Sequence, residues 1–426
     1  MSAGVVITGL GFVTSIGHSR RAVSHSLRSL AHGLSPWRPV DDVDLDVKIG
    51  GLPSGFDLGS SNPAAWSWPE EFDLEPSTAR SMPPHGVYAL AAVQQALQEA
   101  ELSDAEVRDG TTGLFCASAG SPRMMCQHLD KLRSSGWRRA HPHAVISSAA
   151  GCLNFHLAAF LGIRGASCGF VSACSSGSHA LGYAMDEIRL GRQERIIVVA
   201  AEDLNAEATL PFAGMGALST QNEPRLASRP FDRGRDGFVA TGGAAALILE
   251  NSSSAKARGV RPLARILGWG QSCDGHHVAM PHPDGRGLRD AMGMAMRDAG
   301  VAVNEVGYIN AHAPSTPAGD RAEARAIAEV FQDNAPAISS TKALTGHGLS
   351  LAGALEAAIC ILALDEGFIP GQAHLIEPDE ESARLNLPRE SRDDQPGIAL
   401  NNSSGFGGSN VVHVYASADS RPRHVA

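Results

Sequence analysis

The stretch Phe170-Val-Ser-Ala-Cys174-Ser-Ser-Gly177-Ser-His-Ala-Leu-Gly-Tyr-Ala184 places a thiol where a turn of small residues runs into an apolar helix. Ala180, Leu181, Ala184, Met185 and Ile188 recur at helical spacing, and Gly191 reads as the stop. A thiol at a helix N-terminus faces the positive end of the macrodipole and the unpaired N–H groups of the first turn. Both favour thiolate, and the same N–H groups can hold an oxyanion. The position therefore predicts a nucleophile of lowered pKa at Cys174. For any one thiol the competing reading is a buried structural cysteine.

Three later segments carry groups that could work with it. Asn310-Ala-His312-Ala-Pro-Ser315-Thr316-Pro-Ala-Gly-Asp320-Arg-Ala-Glu323 puts a histidine at the end of a strand, where α/β folds place ligand-facing residues. Ser340-Thr-Lys342-Ala-Leu-Thr345-Gly-His347 sets a lysine and a histidine five residues apart before a helix. Asn401-Asn-Ser-Ser-Gly405-Phe406-Gly407-Gly408 is a hinge-like loop, one large ring among three glycines. The chain has 17 histidines, and singly each reads as structural or solvated; His179 and His413 have no comparable context. A Cys/His/His/Lys set, each in a small-residue turn, is far more specific.

The elements that must carry this set alternate strand and helix. Strands are expected at 5–8, 113–120, 196–200, 244–250, 264–270, 306–310, 398–402 and 411–415, and helices at 88–97, 144–159, 180–189, 287–299, 321–331 and 349–364. Residues 35–84, rich in Pro, Ser, Gly, Trp and Asp, read as a long surface excursion. Arg225 to Gly243, with its arginines and aspartates, reads as a rigid ion-paired loop. The turn-rich segment 251–259 is the best internal boundary. It divides an N-terminal half, 1–252, from a C-terminal half, 260–416, and leaves a tail, 417–426. Both halves open on a strand that runs into glycines, a weak internal duplication judged by order of elements.

Composition bounds the function. With 426 residues, 43% of them hydrophobic, and 46 glycines, the chain suits two domains or one large duplicated α/β unit. A net charge of −10 argues against a general nucleic-acid binder. No apolar run approaches a membrane span, and the opening residues carry no secretory pattern. Seven cysteines without a Cys-x-x-Cys pair argue against a zinc site or disulfide framework, and a reducing cytoplasm fits. The glycines after Val5-Val-Ile-Thr suggest a dinucleotide turn, but the third falls at Gly17 and no acidic ribose ligand follows. No cofactor and no metal is expected.

Six motifs in order carry a resemblance to the β-ketoacyl-(acyl-carrier-protein) synthases, condensing enzymes of the thiolase superfamily. They are Val-Val-Ile-Thr-Gly-Leu-Gly at the start, Ser-Ala-Cys174-Ser-Ser-Gly, Ser-Arg-Pro-Phe-Asp-Arg-Gly-Arg-Asp-Gly-Phe, Ala-His312-x-x-Ser-Thr-Pro-x-Gly-Asp320, Ser-Thr-Lys342-x-x-Thr-Gly-His347 and Gly-Phe406-Gly-Gly. The match is similar to the elongating synthase II type and to type II polyketide ketosynthases. It implies a five-layered αβαβα thiolase-like fold built from two pseudo-duplicated halves. It also implies a homodimer, or a heterodimer with a related ketosynthase-like subunit, and substrates carried on the phosphopantetheine of an acyl carrier protein.

The resemblance implies that Cys174 takes the acyl chain and that the N–H groups of Cys174 and Phe406 hold its oxyanion. His312 and His347 would donate to the enolate left when malonyl carrier protein loses carbon dioxide. Lys342 would keep the imidazoles neutral, and Glu323 would hold Lys342 by an ion pair. Asp320 would support the site, Phe406 would act as a gate on Gly405, Gly407 and Gly408, and Ser315, Thr316 and Thr345 would bind substrate. The chain departs from the pattern at Ala313-Pro314, at Thr241-Gly242-Gly243, at Ser404 and in the Trp66 to Phe72 region, where a basic helix has no counterpart. Two other readings stay open: a non-catalytic chain-length-factor-like partner, and an acyltransferase or hydrolase that uses Cys174 without decarboxylation. For the acidic carrier, Arg133, Arg138 and Arg139 beside Lys131, or Arg321 and Arg325, form the expected dock.

Overall fold

The structure, a computed structural model, describes residues 4–38, 45–139 and 142–419. Five strands of the first half are β1 (Val5–Val13), β2 (Thr112–Ala117), β3 (Ser167–Phe170), β4 (Arg195–Glu202) and β5 (Gly243–Asn251). Five of the second are β6 (Ala264–Cys273), β7 (Tyr308–Asn310), β8 (Ala337–Ser339), β9 (Ile398–Gly405) and β10 (Ser409–Ser417). The first half runs β1-β5-β4-β2-β3 and the second β6-β10-β9-β7-β8. In both, the first three neighbours pair antiparallel and the rest parallel. The topology repeats strand for strand. The two sheets meet only where Val5, Val6 and Ile7 pair with Ile266, Arg265 and Ala264.

Helices fill the layers. On the outer side of the first sheet α1 (Pro84–Glu99) packs on β1, β5 and β4. Between the sheets lie α2 (Ser176–Arg189) and, from the second half, α5 (Ala352–Glu366). On the outer side of the second sheet α3 (Arg286–Ala299) packs on β6 and β10, with α4 (Pro317–Phe331) against it. This is the five-layered order the motifs imply. Strand β4 is buried at every position, as a sheet covered on both faces requires, and between Arg195 and Glu202 it reads as an apolar run. Residues Ala352 to Leu364 of α5 are all buried, which is why this stretch is apolar all round apart from Glu356.

Glycines set the closeness of the layers. A Cβ at Gly11 would fall 1.8 Å from the Ala92 carbonyl oxygen, and one at Gly9 2.1 Å from that of Ala96. These glycines therefore lie inside β1 and seat α1 on the strand; they do not form the turn expected after it. In the middle layer the contact is reciprocal. A Cβ at Gly177 of α2 would lie 2.7 Å from the Ala354 nitrogen, and one at Gly353 of α5 2.7 Å from the Ser178 nitrogen.

Three expectations change. The helix at 144–159 is two, Ala144–Ser148, ended by Ala149 in an extended conformation, and Cys152–Leu161, which starts after Gly151 at φ 86°. The connector at 251–259 contains a helix, Ser252–Arg258, started by the Asn251 side chain accepting from Ser253 N and stopped by Gly259 at φ 75°. A turn-rich composition concealed it because serine caps helices as readily as it makes turns. The expected strand starting at 306 covers only Tyr308–Asn310. The 35–84 excursion holds only short elements and tucks Trp66 and Phe72 into the core against α1. Tail residues beyond 419 lie outside the described residues.

Because backbone opposes Gly177, adding one methyl there must push α2 off α5. Gly177→Ala is expected to cost about 1–3 kcal/mol in urea unfolding, while Gly214→Ala, which meets open space, leaves the midpoint unchanged or higher.

Candidate active site

Cys174 sits one residue before the N-cap, Ser175, of α2. Ala173 before it is held at φ 53°, a left-handed conformation that costs a side-chain-bearing residue about 1–2 kcal/mol. The hydroxyls around it hold the turn. Ser175 Oγ donates to the Ser172 carbonyl at 2.8 Å and accepts from the Ser409 hydroxyl at 2.9 Å, and Ser176 Oγ donates to the Ala173 carbonyl at 2.6 Å. Gly405 presses against this turn: a Cβ there would lie 2.9 Å from the Ser172 oxygen and 3.1 Å from the Cys174 nitrogen.

The second half brings two imidazoles to the thiol. His347 follows Gly346, at φ 75°, and is pinned by its N–H on the Val239 carbonyl (2.7 Å) and its carbonyl on Thr241 N (3.1 Å). Its Nε2 lies 3.0 Å from Cys174 Sγ. His312, just past β7, stands edge-on to it with ring centroids 5.3 Å apart. Both rings are buried, and among the described residues neither Nδ1 has a hydrogen-bond partner. Burial first, then the Lys342 ammonium, hold both imidazoles well below the usual histidine range. Both are therefore neutral at pH 7.

Glu323 does not make the expected ion pair with Lys342. Its carboxylate accepts from His312 N (3.0 Å), Ala313 N (2.6 Å) and Asn402 Nδ2 (3.0 Å), so it fixes the loop that carries His312. The lysine's ammonium is bound by Glu356 of α5, and both side chains are buried. Burial pushes the Glu356 carboxyl up, and the ammonium pulls against that. Glu356 was missed, yet it left a signal. A lone charge in the apolar run Leu349 to Leu364 must be paired, because an unpaired buried charge is prohibitive.

The thiol also departs from expectation. Burial pushes Cys174 up to about 12, against the pull of Lys342 and of its own backbone N–H. Its residue is only 9% exposed and precedes the first helical position, so lost hydration outweighs the helix end.

A cavity of about 400 Å³ opens onto Cys174, His312 and His347. Phe406 lies on its wall, 37% exposed, between Gly405 and Gly407, the latter at φ 78°. A file of rings leads inward from it. Phe406 faces Phe212 at 5.8 Å, Phe212 meets Phe238 at 5.5 Å, and Phe238 meets His347 at 5.2 Å. Phe212 carried no sequence signal, since an apolar ring on a helix looks like core, and Phe238 closes the Arg-Asp-Gly-Phe motif without being marked there as a site residue.

The remaining expected groups divide. Thr316 lines the cavity, but its Oγ1 caps α4 by accepting from Gly319 N. Ser315 and Thr345 are not on the cavity wall. Ser315 Oγ accepts from Arg229 N, and Thr345 Oγ1 donates to the Gly346 carbonyl at 2.8 Å. Asp320 is fully buried, accepts from Ser315 N, Thr316 N and Phe231 N, and pairs with Arg235 at 3.3 Å. It holds the loop from behind, and Arg235 also pairs with Asp379 at 2.7 Å. Of the departures, Pro314 stands on the cavity wall, Thr241 Oγ1 donates to the Gly51 carbonyl, and Ser404 Oγ donates to Asn410 Oδ1.

Comparison with known proteins places these features in a family. Residues 2–255 match the model for the N-terminal domain of β-ketoacyl synthases, and residues 263–376 match the model for the C-terminal domain. The chain is 36% identical over 414 residues to 3-oxoacyl-[acyl-carrier-protein] synthase 1 of Escherichia coli K12, covering 96% of this chain and 98% of that protein. A β-ketoacyl synthase from Burkholderia phymatum STM815 superposes with a TM-score of 0.87 at 31% identity, over 97% of this chain and 99% of that one. The ishigamide ketosynthase/chain length factor gives 0.87 at 29%, over 98% and 100%.

With the thiol raised and the imidazole beside it neutral, labelling of Cys174 by iodoacetamide is expected to rise about tenfold per pH unit from pH 7 to 10. A plateau near pH 7, read by intact mass, would instead mean a thiolate–imidazolium pair.

Proposed function

Because the chain belongs to the β-ketoacyl synthase family, we propose that Cys174, His312 and His347 carry out its condensation, with Lys342, Glu356 and Glu323 holding them in place. The protein is a condensing acyltransferase of fatty-acid or polyketide type: it joins an acyl group to the two carbons left when a malonyl thioester loses carbon dioxide. The observation that carries the residue assignment is one cavity onto which the thiol and both imidazoles open, with Nε2 of His347 3.0 Å from Sγ.

In the first step Cys174 Sγ attacks the thioester of an acyl carrier protein. A raised thiol needs a base, and the neutral Nε2 of His347 is the group in reach. The proton leaves on the carrier's thiol as the old C–S bond breaks. Charge on the carbonyl oxygen is held by the N–H groups of Cys174 and Phe406, the latter following Gly405, which lies against the Cys174 nitrogen. In the second step malonyl carrier protein loses carbon dioxide. Its enolate oxygen is stabilised by donors on His312 and His347, which serve as neutral imidazoles because Lys342 disfavours a second cation nearby, His347 having passed its one ring hydrogen from Nδ1 to Nε2 after the first step. The enolate carbon attacks the acyl-Cys174 carbonyl, the C–C bond forms, the C–S bond breaks, and the thiolate takes up a proton. Phe406 swings as the chain loads, a motion its flanking glycines make cheap.

Partners follow the same reading. The carrier's arm enters past Thr316 and Pro314. The expected basic docks differ: Arg325 is tied to Glu381 at 3.1 Å and Arg133 to Asp130 at 3.4 Å. Arg321 is exposed on α4 and, among the described residues, has no ion-pair partner. We assign the carrier dock to the Arg321 side of the cavity. A second ketosynthase-type subunit, identical or related as in the ishigamide pair, would cover the edge strand β3, where Val171, Phe155 and Ile146 are exposed. The chemistry needs no metal or resident cofactor, since the phosphopantetheine arrives on the carrier. Among the described residues no helix is long and apolar enough to cross a membrane, and we place the enzyme in the cytoplasm.

Intact mass of wild type with acyl carrier protein donors is expected to show an acyl adduct that Cys174→Ala lacks. Adding malonyl carrier protein should release carbon dioxide and form a β-ketoacyl carrier, while His312→Ala and His347→Ala keep less than about 1% of the decarboxylation. An adduct that never condenses would favour plain acyl transfer. Arg321→Glu should raise KM for carrier-bound substrates at low salt and leave kcat alone, the signature of a lost docking charge.

A further inference from the structure

We propose that His179 is a positioning residue for the nucleophile, holding through Ser172 the left-handed turn that aims Cys174. The proposal rests on the reading of Cys174 as the acylated thiol.

His179 lies on α2, one helical turn beyond Ser175. Its Nδ1 is 2.8 Å from Ser172 Oγ and its Nε2 is 3.1 Å from Gln271 Oε1 on β6. The amide oxygen of Gln271 can only accept, so Nε2 carries the hydrogen and Nδ1 accepts from the Ser172 hydroxyl. Gln271 is itself oriented, its Nε2 donating to the Tyr183 hydroxyl at 3.4 Å. The imidazole is also gripped on its faces. It stacks on Tyr183 at 6.2 Å and 21°, and stands edge-on to Trp269 at 6.5 Å and 87°. A ring fixed on both nitrogens and both sides makes a rigid strut.

Ser172 is where that strut presses. Its N–H donates to Ser176 Oγ, and its carbonyl accepts from Ser175 N and Ser175 Oγ. All of these bonds stay within residues 172–176, so they shape the turn without locating it against the second half. Two bonds do that. Ser175 Oγ reaches Ser409 at the start of β10, and His179 links Ser172 to Gln271 of β6. The location matters because Gly405 sits directly on the turn, against the Ser172 oxygen and the Cys174 nitrogen. Any slip of Ser172 changes the spacing of the Cys174 and Phe406 N–H groups. An oxyanion site tolerates very little of that.

Phenylalanine at 179 keeps the stacked ring and removes both hydrogen bonds; asparagine keeps an acceptor near Ser172 and removes the ring. Acyl-Cys174 formation from acyl carrier protein is followed by intact mass, with melting temperature measured alongside. His179→Phe is expected to melt like wild type and to acylate about 10- to 100-fold more slowly, with KM for the donor unchanged. His179→Asn, which keeps the bond to Ser172 and loses the reach to Gln271, should recover only part of that rate. Ser172→Ala should match His179→Phe, and the double variant should be no slower than either. A wild-type acylation rate in His179→Phe, or independent losses that multiply in the double variant, overturns the proposal. Should Cys174→Ala still form the adduct, the nucleophile assignment fails on its own evidence, apart from the His179 result.

Discussion

The reciprocal contact of Gly177 and Gly353 is the constraint on which the site depends. The thiol stands at the head of α2, in the first half of the chain, and His347 stands just before α5, in the second. The two helices form the middle layer, and each has a glycine where the other's backbone passes. With ordinary side chains at the crossing, helices pack 8–10 Å apart. Glycine removes the spacer and lets Sγ and Nε2 come within 3.0 Å. The described strands of the two halves share only the short pairing of β1 with β6, so the helix crossing carries much of the join.

Closeness brings burial, and burial sets the charges. A thiol, two imidazoles, a lysine and two carboxylates are all buried in one site. In that medium the site can hold few net charges. The ammonium of Lys342 is matched by Glu356, the imidazoles stay neutral, and the thiol stays protonated. A neutral resting site suits a reaction whose charge develops twice, first on an acyl oxygen and then on an enolate. Each charge then meets fixed donors and needs no solvent to reorganise.

Much of this was legible in the chain. Cys174, His312, Lys342, His347 and the Phe406 loop are all marked by small-residue turns, and turns of glycine and serine are where backbone geometry shows in sequence. The strand–helix alternation also showed, because buried strands read as apolar runs. What stayed hidden was partnership. Glu323 looked like a match for Lys342, yet three backbone and side-chain donors claim it, and Glu356 on another helix takes the lysine. His179 looked idle because its partners, Ser172 and Gln271, lie seven and 92 positions away.

The sequence by itself determined the elements, the duplicated order and the reactive groups, because those depend on local periodicity, turn chemistry and residue type. Only the tertiary structure decided which groups pair and in what ionic state. Both depend on how much water is excluded when two helices far apart in sequence close on a pair of glycines. That exclusion reverses the expectation for Cys174: a helix end alone favours thiolate, while the buried site around it keeps the thiol protonated until a neighbouring imidazole takes the proton.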